Sequence, residues 1–343
     1  MAGRFDNPRP SCYNRQTNAV CNKPVTFFVS GADAVRACSR STSIATVVTC
    51  ALPLDGDAQR TQRLRHRRPL GTTLLDAPIS TGDIMKIYLF VDMEGISGIS
   101  GSEFVTASGA HYQTARRYYT EEMNVCASAC FEAGAKEVIA RDGHGAGNHF
   151  LWDQVDPRVQ IVQGQTGPVR MWGLSGSDAL ILLGYHAMAG TPGALLEHTY
   201  SSATVQNMWL NGRPVGETGI DAAIAADYGV PTILVTGDDF LCREAREWIP
   251  GVHTCEVKKA CSCQGAMLLP RKAAHELIRE ATIAAVRDLK NIRPLAITRP
   301  VTIRRELVER QQVPAAAGRP DLNIIDGRTF EKTAATAEQA FFI

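Results

Sequence analysis

Features that mark several specialised classes of protein are missing from this sequence of 343 residues. Its ten cysteines are too few, at this length, for a scaffold held together by disulfides. No apolar run reaches the roughly 18 residues that a membrane-spanning helix needs, so we expect no membrane insertion. Lysine and arginine total 36 against 35 aspartates and glutamates, and no basic face is interleaved with aromatic residues. Nucleic-acid binding is therefore not expected.

Common catalytic motifs are missing as well. The sequence has no Walker phosphate-binding loop, no GxSxG nucleophile turn and no HExxH zinc motif. Cys261 and Cys263 stand two residues apart without a second pair at zinc-finger spacing, so we interpret them as incidental thiols. Any catalytic site must be sought in another arrangement of residues.

Glutamate is absent from residues 1–84, which carry eleven basic residues against six aspartates. Three interpretations of this segment stay open: a targeting leader, a disordered basic arm, or upstream sequence read from a start codon placed too early. We expect a disordered or mis-annotated extension, because Met85 opens a well-patterned strand. No charged and then apolar stretch stands at the N-terminus, so we expect a cytoplasmic protein rather than a secreted one.

A regular alternation of strands and helices begins at Met85. Residues 86–91 and 179–183 are apolar throughout or nearly so, as in strands that are buried on both faces. The predicted strands are 86–91, 136–140, 159–162, 179–183 and 232–236, and the predicted helices are 112–133, 219–228 and 241–248. This order predicts a three-layer α/β/α fold with a mostly parallel sheet, and we assign residues 85–250 to such a catalytic domain.

The pattern changes after about residue 250. The spacing predicts a strand at 254–258, a helix at 270–291, an edge strand at 299–304 and a short strand at 322–325. We interpret residues 251–343 as a smaller two-layer α/β domain. The sequence stops within what reads as the start of a helix, so we expect a truncated C-terminus.

Chemically capable side chains follow three of the predicted strands. Asp92 and Glu94 follow the first strand, His144 follows the second and His186 follows strand 179–183. Glu217 stands at the entrance to helix 219–228. The carboxyl ends of parallel strands share one edge of a sheet, where ligands bind, and residues at i and i+2 of extended chain point to one side. We therefore expect these side chains to meet.

Carboxylates and imidazoles together form a ligand set that suits zinc or a similar ion. Five ligands exceed what one open catalytic zinc usually takes from protein, but with a bridging carboxylate they suffice for two ions. Each residue alone also has a structural interpretation, as a turn residue or helix cap. Asp238 and Asp239 reach the same edge, and we interpret them as supporting or loop residues, because seven ligands would be too many.

His198 lies in a loop beyond the last predicted histidine ligand. A histidine that is not a ligand but lies near metal ions can move protons or stabilise developing charge. The alternative, an exposed loop histidine without a role, stays open on the residues alone.

These residues stand in a combination that resembles the DppA-type D-aminopeptidases, peptidase family M55, also called dipeptide transport proteins. The resemblance covers about residues 85–340, with the motifs in family order, and residues 1–84 have no counterpart. The stretches that carry it are Val91-Asp-Met-Glu-Gly-Ile-Ser97, Asp142-Gly-His144, Leu183-Gly-Tyr-His-Ala187, Thr191-Pro-Gly193 and Gly212-Arg-Pro-Val-Gly-Glu217.

The resemblance implies a zinc-dependent aminopeptidase with two zinc ions per subunit, acting on short peptides that begin with a D-residue, typically D-alanine. By position it makes His198 the family's proposed catalytic histidine. It makes Asp92 the bridging ligand, with Glu94 and His144 completing one zinc site and His186 and Glu217 completing the other. It also implies a ring-shaped homo-oligomer, expected to be a decamer, whose active sites face an inner channel.

Two other classes of function stay open. One is a different metal-dependent amidohydrolase or a phosphatase on the same scaffold. The other is a non-catalytic peptide-binding or transport-associated protein, although the sequence lacks the signal sequence and lipobox-like cysteine of a periplasmic receptor. Fold alone does not decide between these classes, because function depends on the site residues.

Overall fold

Helices and strands follow one another from Lys86 to Phe341 in the computed structural model, which describes residues 85–342. The interpretations of residues 1–84 lie outside the described residues. The strands are β1 (Lys86–Val91), β2 (Glu137–Asp142), β3 (Val159–Val162), β4 (Ala179–Leu183), β5 (Val205–Leu210), β6 (Arg213–Pro214), β7 (Thr232–Asp238), β8 (His253–Ser262), β9 (Gly265–Leu268), β10 (Val301–Leu307), β11 (Leu322–Ile324) and β12 (Thr329–Ala334). The helices are α1 (Ser102–Val105), α2 (Tyr112–Glu132), α3 (Glu217–Asp227), α4 (Asp239–Trp248), α5 (Arg271–Arg287) and α6 (Ala337–Phe341).

The larger sheet has seven strands in the order β3-β2-β1-β4-β7-β8-β9. The first six are parallel to their neighbours, and only β9 pairs in the antiparallel direction, with β8. The chain leaves β1 toward β2 and β3 on one side and returns to β4 on the other. The order of the strands therefore changes direction beside β1, which is where open parallel sheets bind ligands.

Alternating side chains of β1 enter two hydrophobic cores on opposite faces of this sheet. Ile87, Leu89 and Val91 pack with residues of α2 and α5. Tyr88 and Phe90 point the other way and pack with residues of α3 and α4. This division follows from the period of two in an extended chain. The predicted three-layer arrangement with a mostly parallel sheet and a smaller second sheet is confirmed.

The second sheet is antiparallel, with the order β11-β12-β10-β5-β6. It combines strands from both sides of residue 250, while α5 packs on the larger sheet. The domain boundary at residue 250 stays a prediction, and the strand pairing crosses it. The prediction that residues 299–304 form an edge strand is wrong, because β10 lies between β12 and β5. Its alternating pattern arises because one face of an antiparallel sheet is buried and the other is not.

Local signals explain where several helices begin and end. Gly134, with a φ of 112°, follows the end of α2 in a conformation that favours glycine. The carboxylate of Asp238 accepts a hydrogen bond of 2.8 Å from the backbone N–H of Leu241 and so caps the start of α4. In the described part of the chain, no helix is both long enough and apolar enough to cross a membrane.

Candidate metal centre

The carboxyl ends of three adjacent strands bring four of the predicted site residues to one place. Asp92 and Glu94 follow β1, and His144 and His186 follow its two neighbours, β2 and β4. Three of the four side chains are almost fully buried, and that of His144 is 13% exposed. Residues that are far apart in the sequence therefore meet at the edge where the order of the strands changes.

Glu217 reaches the same place from the start of a helix. It is the first residue of α3, which begins shortly after the β5–β6 hairpin. Its Oε1 accepts a hydrogen bond of 2.7 Å from the backbone N–H of Tyr200. The start of a helix favours a negative charge, so the fold places this carboxylate where it is stabilised.

The turn that follows β1 is held tightly against the end of β4. The N–H of Asp92 donates to the carbonyl of Leu183 at 2.8 Å, and the N–H of Gly95 donates to that of Gly184 at 2.7 Å. A side chain at Gly95 would overlap the backbone carbonyl of Tyr185. Glycine is therefore required for this close approach, which fixes the backbone on either side of Glu94.

His144 faces two carboxylates with one ring nitrogen. Its Nδ1 lies 3.2 Å from Oδ1 of Asp92 and 3.1 Å from Oε2 of Glu94. Its Nε2 lies 3.1 Å from the carbonyl oxygen of Val105, which can only accept a hydrogen bond. Nε2 therefore carries a proton, and Nδ1 is directed at the acidic pair. Metal-binding histidines usually show this arrangement.

His186 repeats the arrangement on the other side of the same aspartate. Its Nε2 lies 3.2 Å from Oδ2 of Asp92 and 3.2 Å from Oε1 of Glu217. Its Nδ1 donates to the carbonyl of Ala187 at 3.0 Å. The two oxygens of Asp92 thus face different histidines, which is the geometry that a bridging carboxylate needs.

The ligand atoms at this place fit zinc. Among the described residues, His186 Nε2 and Glu94 Oε2 are buried and make no hydrogen bond of good geometry, although buried polar atoms are normally paired. Their polar neighbours are the other ligand atoms of the site, at 3.1–3.2 Å. Ligand atoms of Asp92, Glu94 and His186 all lie within 4.8 Å of one another. Nitrogen and carboxylate oxygen are ligands that zinc prefers. The individual ligand assignments stay predictions.

The side chains of the site form a buried network of opposite charges. Burial opposes ionisation of Asp92, but its close contacts with His144 and His186 hold its pKa well below the ordinary value. Burial also opposes ionisation of Glu217, yet its contact with His186 lowers its pKa. The two histidines have pKa values well above the ordinary range, because the attraction of these carboxylates and Glu94 outweighs the cost of burial.

His198 lies beside the second half of the site. Its ring stacks on that of His186, with centroids 4.0 Å apart and planes inclined by 9°. Its Nδ1 donates to the carbonyl of Leu196 at 2.9 Å, and its Nε2 lies 3.8 Å from Oε1 of Glu217. The structure thus brings the predicted catalytic histidine to the site. Its donor atom also lies within 4.8 Å of those of His186 and Glu217, which is close enough for a ligand.

The structure shows a buried ion pair behind Glu217, between Arg170 and Asp221, that the sequence did not predict. Arg170 donates two hydrogen bonds to Asp221, of 2.5 Å and 2.9 Å, and its Nη2 lies 3.7 Å from Oε2 of Glu217. Tyr185 donates to the same aspartate at 2.8 Å. The signal in the sequence was Asp221, one helical turn after Glu217, which is the single charged residue of the apolar stretch 220–226. A charge on a buried helix face normally has a partner.

A second supporting pair lies behind His144. His149 places its Nδ1 2.9 Å from Oδ1 of Asp142, and the rings of His144 and His149 are 4.8 Å apart at 68°. The hydroxyl of Tyr119 also donates to Asp142, at 3.0 Å. Asp142 and His149 therefore shape the loop that carries the ligand, as outer contacts commonly do at metal sites. Of the predicted support residues, Asp238 caps α4 and accepts from the N–H of Leu195 at 3.2 Å.

Comparison with known proteins agrees with this geometry. The family model of peptidase family M55, described as D-aminopeptidase, matches residues 85–343. A D-aminopeptidase of Bacillus subtilis (strain 168) is 36% identical over 215 residues, which cover 62% of this chain and 77% of that protein. The solved structure of the Zn-dependent D-aminopeptidase DppA from Bacillus subtilis, described as a self-compartmentalizing protease, superposes with a TM-score of 0.71. It is 33% identical, and the match covers 75% of this chain and 94% of that one.

Proposed function

This chain belongs to the D-aminopeptidase family, peptidase family M55, and we propose that it removes an N-terminal D-residue, D-alanine above all, from short peptides. Family membership makes it a metal-dependent aminopeptidase, a hydrolase. The preference for a D-residue is supported by the descriptions of the family and of its relative. The observation that carries the proposed chemistry, hydrolysis at a centre of two metal ions, is the position of Asp92, whose two carboxylate oxygens face two separate histidines.

We assign two zinc ions to this site. Asp92 would contribute one oxygen to each ion. Glu94 and His144 would complete one site, and His186 and Glu217 would complete the other. Support comes from the buried ligand atoms Glu94 Oε2 and His186 Nε2, which make no hydrogen bond of good geometry, and from the other ring nitrogen of each histidine, which is hydrogen-bonded to a backbone carbonyl. Those bonds direct the remaining ring nitrogen toward the carboxylates.

Bound zinc would supply a water of lowered pKa and would polarise the carbonyl of the scissile bond. The residues of this chain hold the ligand side chains in position and exclude solvent from them. The burial of Asp92, Glu94, His186 and Glu217 keeps bulk water away from the donors and strengthens the electrostatic interactions among them. The turn pinned by Gly95 and the ion pair behind Glu217 keep the carboxylates in place.

His198 is the residue that we assign to proton transfer. Because its Nδ1 donates to Leu196, its Nε2 carries the lone pair that can accept a proton. Its side chain is 17% exposed, more than that of His186 or Glu217 beside it, so it lies on the side from which a peptide must arrive. Protonated at Nε2, it would donate that proton to the leaving amine nitrogen as the carbon–nitrogen bond breaks.

We further propose that the chain self-associates into a ring, with ten subunits expected, and that it acts in the cytoplasm. The solved relative is described as self-compartmentalizing. Trp152 and Trp172 are 79% and 58% exposed, and aromatic residues are enriched where subunits meet. Light scattering coupled to gel filtration measures the assembly. A monomer at micromolar concentration would contradict the proposal of a ring.

The experiment that tests the proposed function combines elemental analysis of the purified protein with a cleavage assay. D-Ala-D-Ala, L-Ala-L-Ala, D-alanine amide and a phosphoester are offered to the zinc-loaded enzyme. We expect two zinc ions per chain and turnover of the D-configured substrates alone. Preference for the phosphoester or for L-Ala-L-Ala would replace the proposed substrate class, and peptide binding without turnover would remove the enzymatic proposal.

A further inference from the structure

A lysine lies in the interior next to the turn that carries Glu94. Lys258 belongs to β8 and is 1% exposed. Lysine is almost never fully buried, because its ammonium group loses a large hydration energy unless polar partners replace the water. An apolar residue would fill this position in the core at lower cost. The partners of Lys258 therefore indicate why a lysine stands there.

All three donors of the Lys258 ammonium group go to one turn of the backbone. Its Nζ donates to the carbonyls of Glu94, Ile96 and Ile99, at 2.6, 2.8 and 2.8 Å. Three donors match the three hydrogens of an ammonium group. The first of these carbonyls belongs to Glu94 itself, so the hydrogen bond fixes the peptide plane that follows the carboxylate ligand.

The same turn is held from a second direction by Glu122 of α2. This carboxylate is fully buried and its Oε2 accepts from the backbone N–H of Ser97 at 2.8 Å and from the Ser97 hydroxyl. Lys258 and Glu122 come from different elements, β8 and α2, and both bind the turn between Glu94 and Ile99. Gly95 adds its bond to the end of β4. The turn is thus fixed from three sides.

We infer that Lys258, with Glu122 on the other side of the turn, is a positioning residue that holds Glu94 in the geometry required for its zinc site. This inference rests on the proposed function, because it takes Glu94 as a ligand. Lys258 does not touch the reacting atoms, and it acts only through the backbone of Glu94. A lysine that merely filled the core would not direct all of its donors at the turn of one ligand.

The inference makes the two zinc sites unequal in their response to Lys258. The Glu94 side chain belongs to one of them, whereas Glu217 is held by the N–H of Tyr200 and the nearby Arg170. Loss of Lys258 should therefore weaken the site that contains Glu94 and spare the site that contains Glu217. A general loss of stability would not make this distinction.

The test uses Lys258→Met, which keeps an unbranched chain of similar length but has no donors. The metal-free full chain is titrated with zinc by calorimetry, and Glu94→Gln identifies which binding event belongs to the Glu94 site. We expect Lys258→Met to weaken that event by about 10- to 100-fold, the usual effect of losing an outer partner, and to leave the other unchanged. Wild-type constants for both events in folded Lys258→Met would overturn the inference.

Ile278→Ala is the matched control. Ile278 of α5 is fully buried in the same core cluster as residues of β8, so its truncation costs stability without removing a hydrogen bond from the turn. We expect both zinc events to keep wild-type constants in this variant. Selective weakening of the Glu94 event by Ile278→Ala would show that any loss of stability suffices, and would overturn the inference.

A milder variant covers the case in which Lys258→Met does not fold. Ser97→Ala removes one hydrogen bond to Glu122 and should weaken the same event by about 2- to 10-fold. An unchanged event would contradict the inference. The proposed function fails separately, if the wild-type protein binds no zinc or if Glu94→Gln alters neither event.

Discussion

Zinc binding should release protons from the two histidines of the site. In the metal-free protein, the pKa values of His144 and His186 are raised well above the ordinary value of 6.5. Both imidazoles are therefore charged at neutral pH, paired with Asp92 and its neighbouring carboxylates. A histidine binds a metal only in its neutral form, so each must lose a proton when zinc enters.

The sign and size of the effect follow from these directions. The charged histidines stabilise the metal-free fold fully below pH 6.5, and this contribution is lost as the pH rises through their raised pKa values. The affinity for zinc changes in the opposite direction and increases with pH. Each proton that must leave the protein makes binding tenfold stronger per pH unit. With two histidines, the overall affinity for two ions should rise about 100-fold per pH unit below those pKa values.

Isothermal titration calorimetry at about pH 6.5, in two buffers with different heats of ionisation, counts the protons. The wild-type protein should release one proton more than His144→Ala at saturating zinc, because that variant lacks one titrating ligand. His253→Ala is the matched control, since His253 pairs with Asp288 at the surface, at 3.0 Å, and not with the site. Equal proton release from the wild-type protein and His144→Ala would refute the reasoning.

Three further predictions concern single residues. His198→Ala should keep both zinc ions and lose about 10²- to 10⁴-fold in kcat, as elemental analysis and kinetics can measure, and loss of one zinc would make it a ligand instead. Burial raises the pKa of Glu244 to about 7 from an ordinary 4.5. The neutral carboxyl therefore stabilises the folded protein at low pH, and this contribution is lost as the pH rises through 7. Between pH 4.5 and 8, the free energy of unfolding of Glu244→Gln in urea should therefore rise relative to that of the wild-type protein by up to about 3 kcal/mol. A difference that does not depend on pH would argue against a neutral buried carboxyl. Gly95→Ala should lower both stability and zinc content, because its methyl group would overlap the carbonyl of Tyr185, and a variant that behaves like wild type in a thermal melt would contradict that.

The sequence predicts the elements that are buried on both faces better than those at the periphery. Residues 86–91 and 179–183 are continuous apolar runs, and both were predicted with the bounds of β1 and β4. The strands β5, β6, β9 and β12 were not predicted. Most of their side chains are partly buried or exposed, so polar and apolar residues mix without a clear period, and pairing with distant strands decides their conformation.

The residues that meet at the site could be named from the sequence, because the carboxyl ends of parallel strands share an edge. The contacts behind them could not. Lys258 and Arg170 lie 164 and 47 positions from the ligands that they support, Glu94 and Glu217, and nothing local marks either as buried. Such contacts depend on which elements pack together, and the local patterns of a sequence do not show that.

The central claim is that Asp92 is shared between two zinc ions. The direct test is the zinc content of the wild-type protein and of Asp92→Asn, a variant of nearly the same shape without the charge. We predict two ions per chain in the wild-type protein and, because both sites lose a ligand, less than one in the variant. A wild-type protein with a single ion, or a variant that keeps both, would contradict the claim.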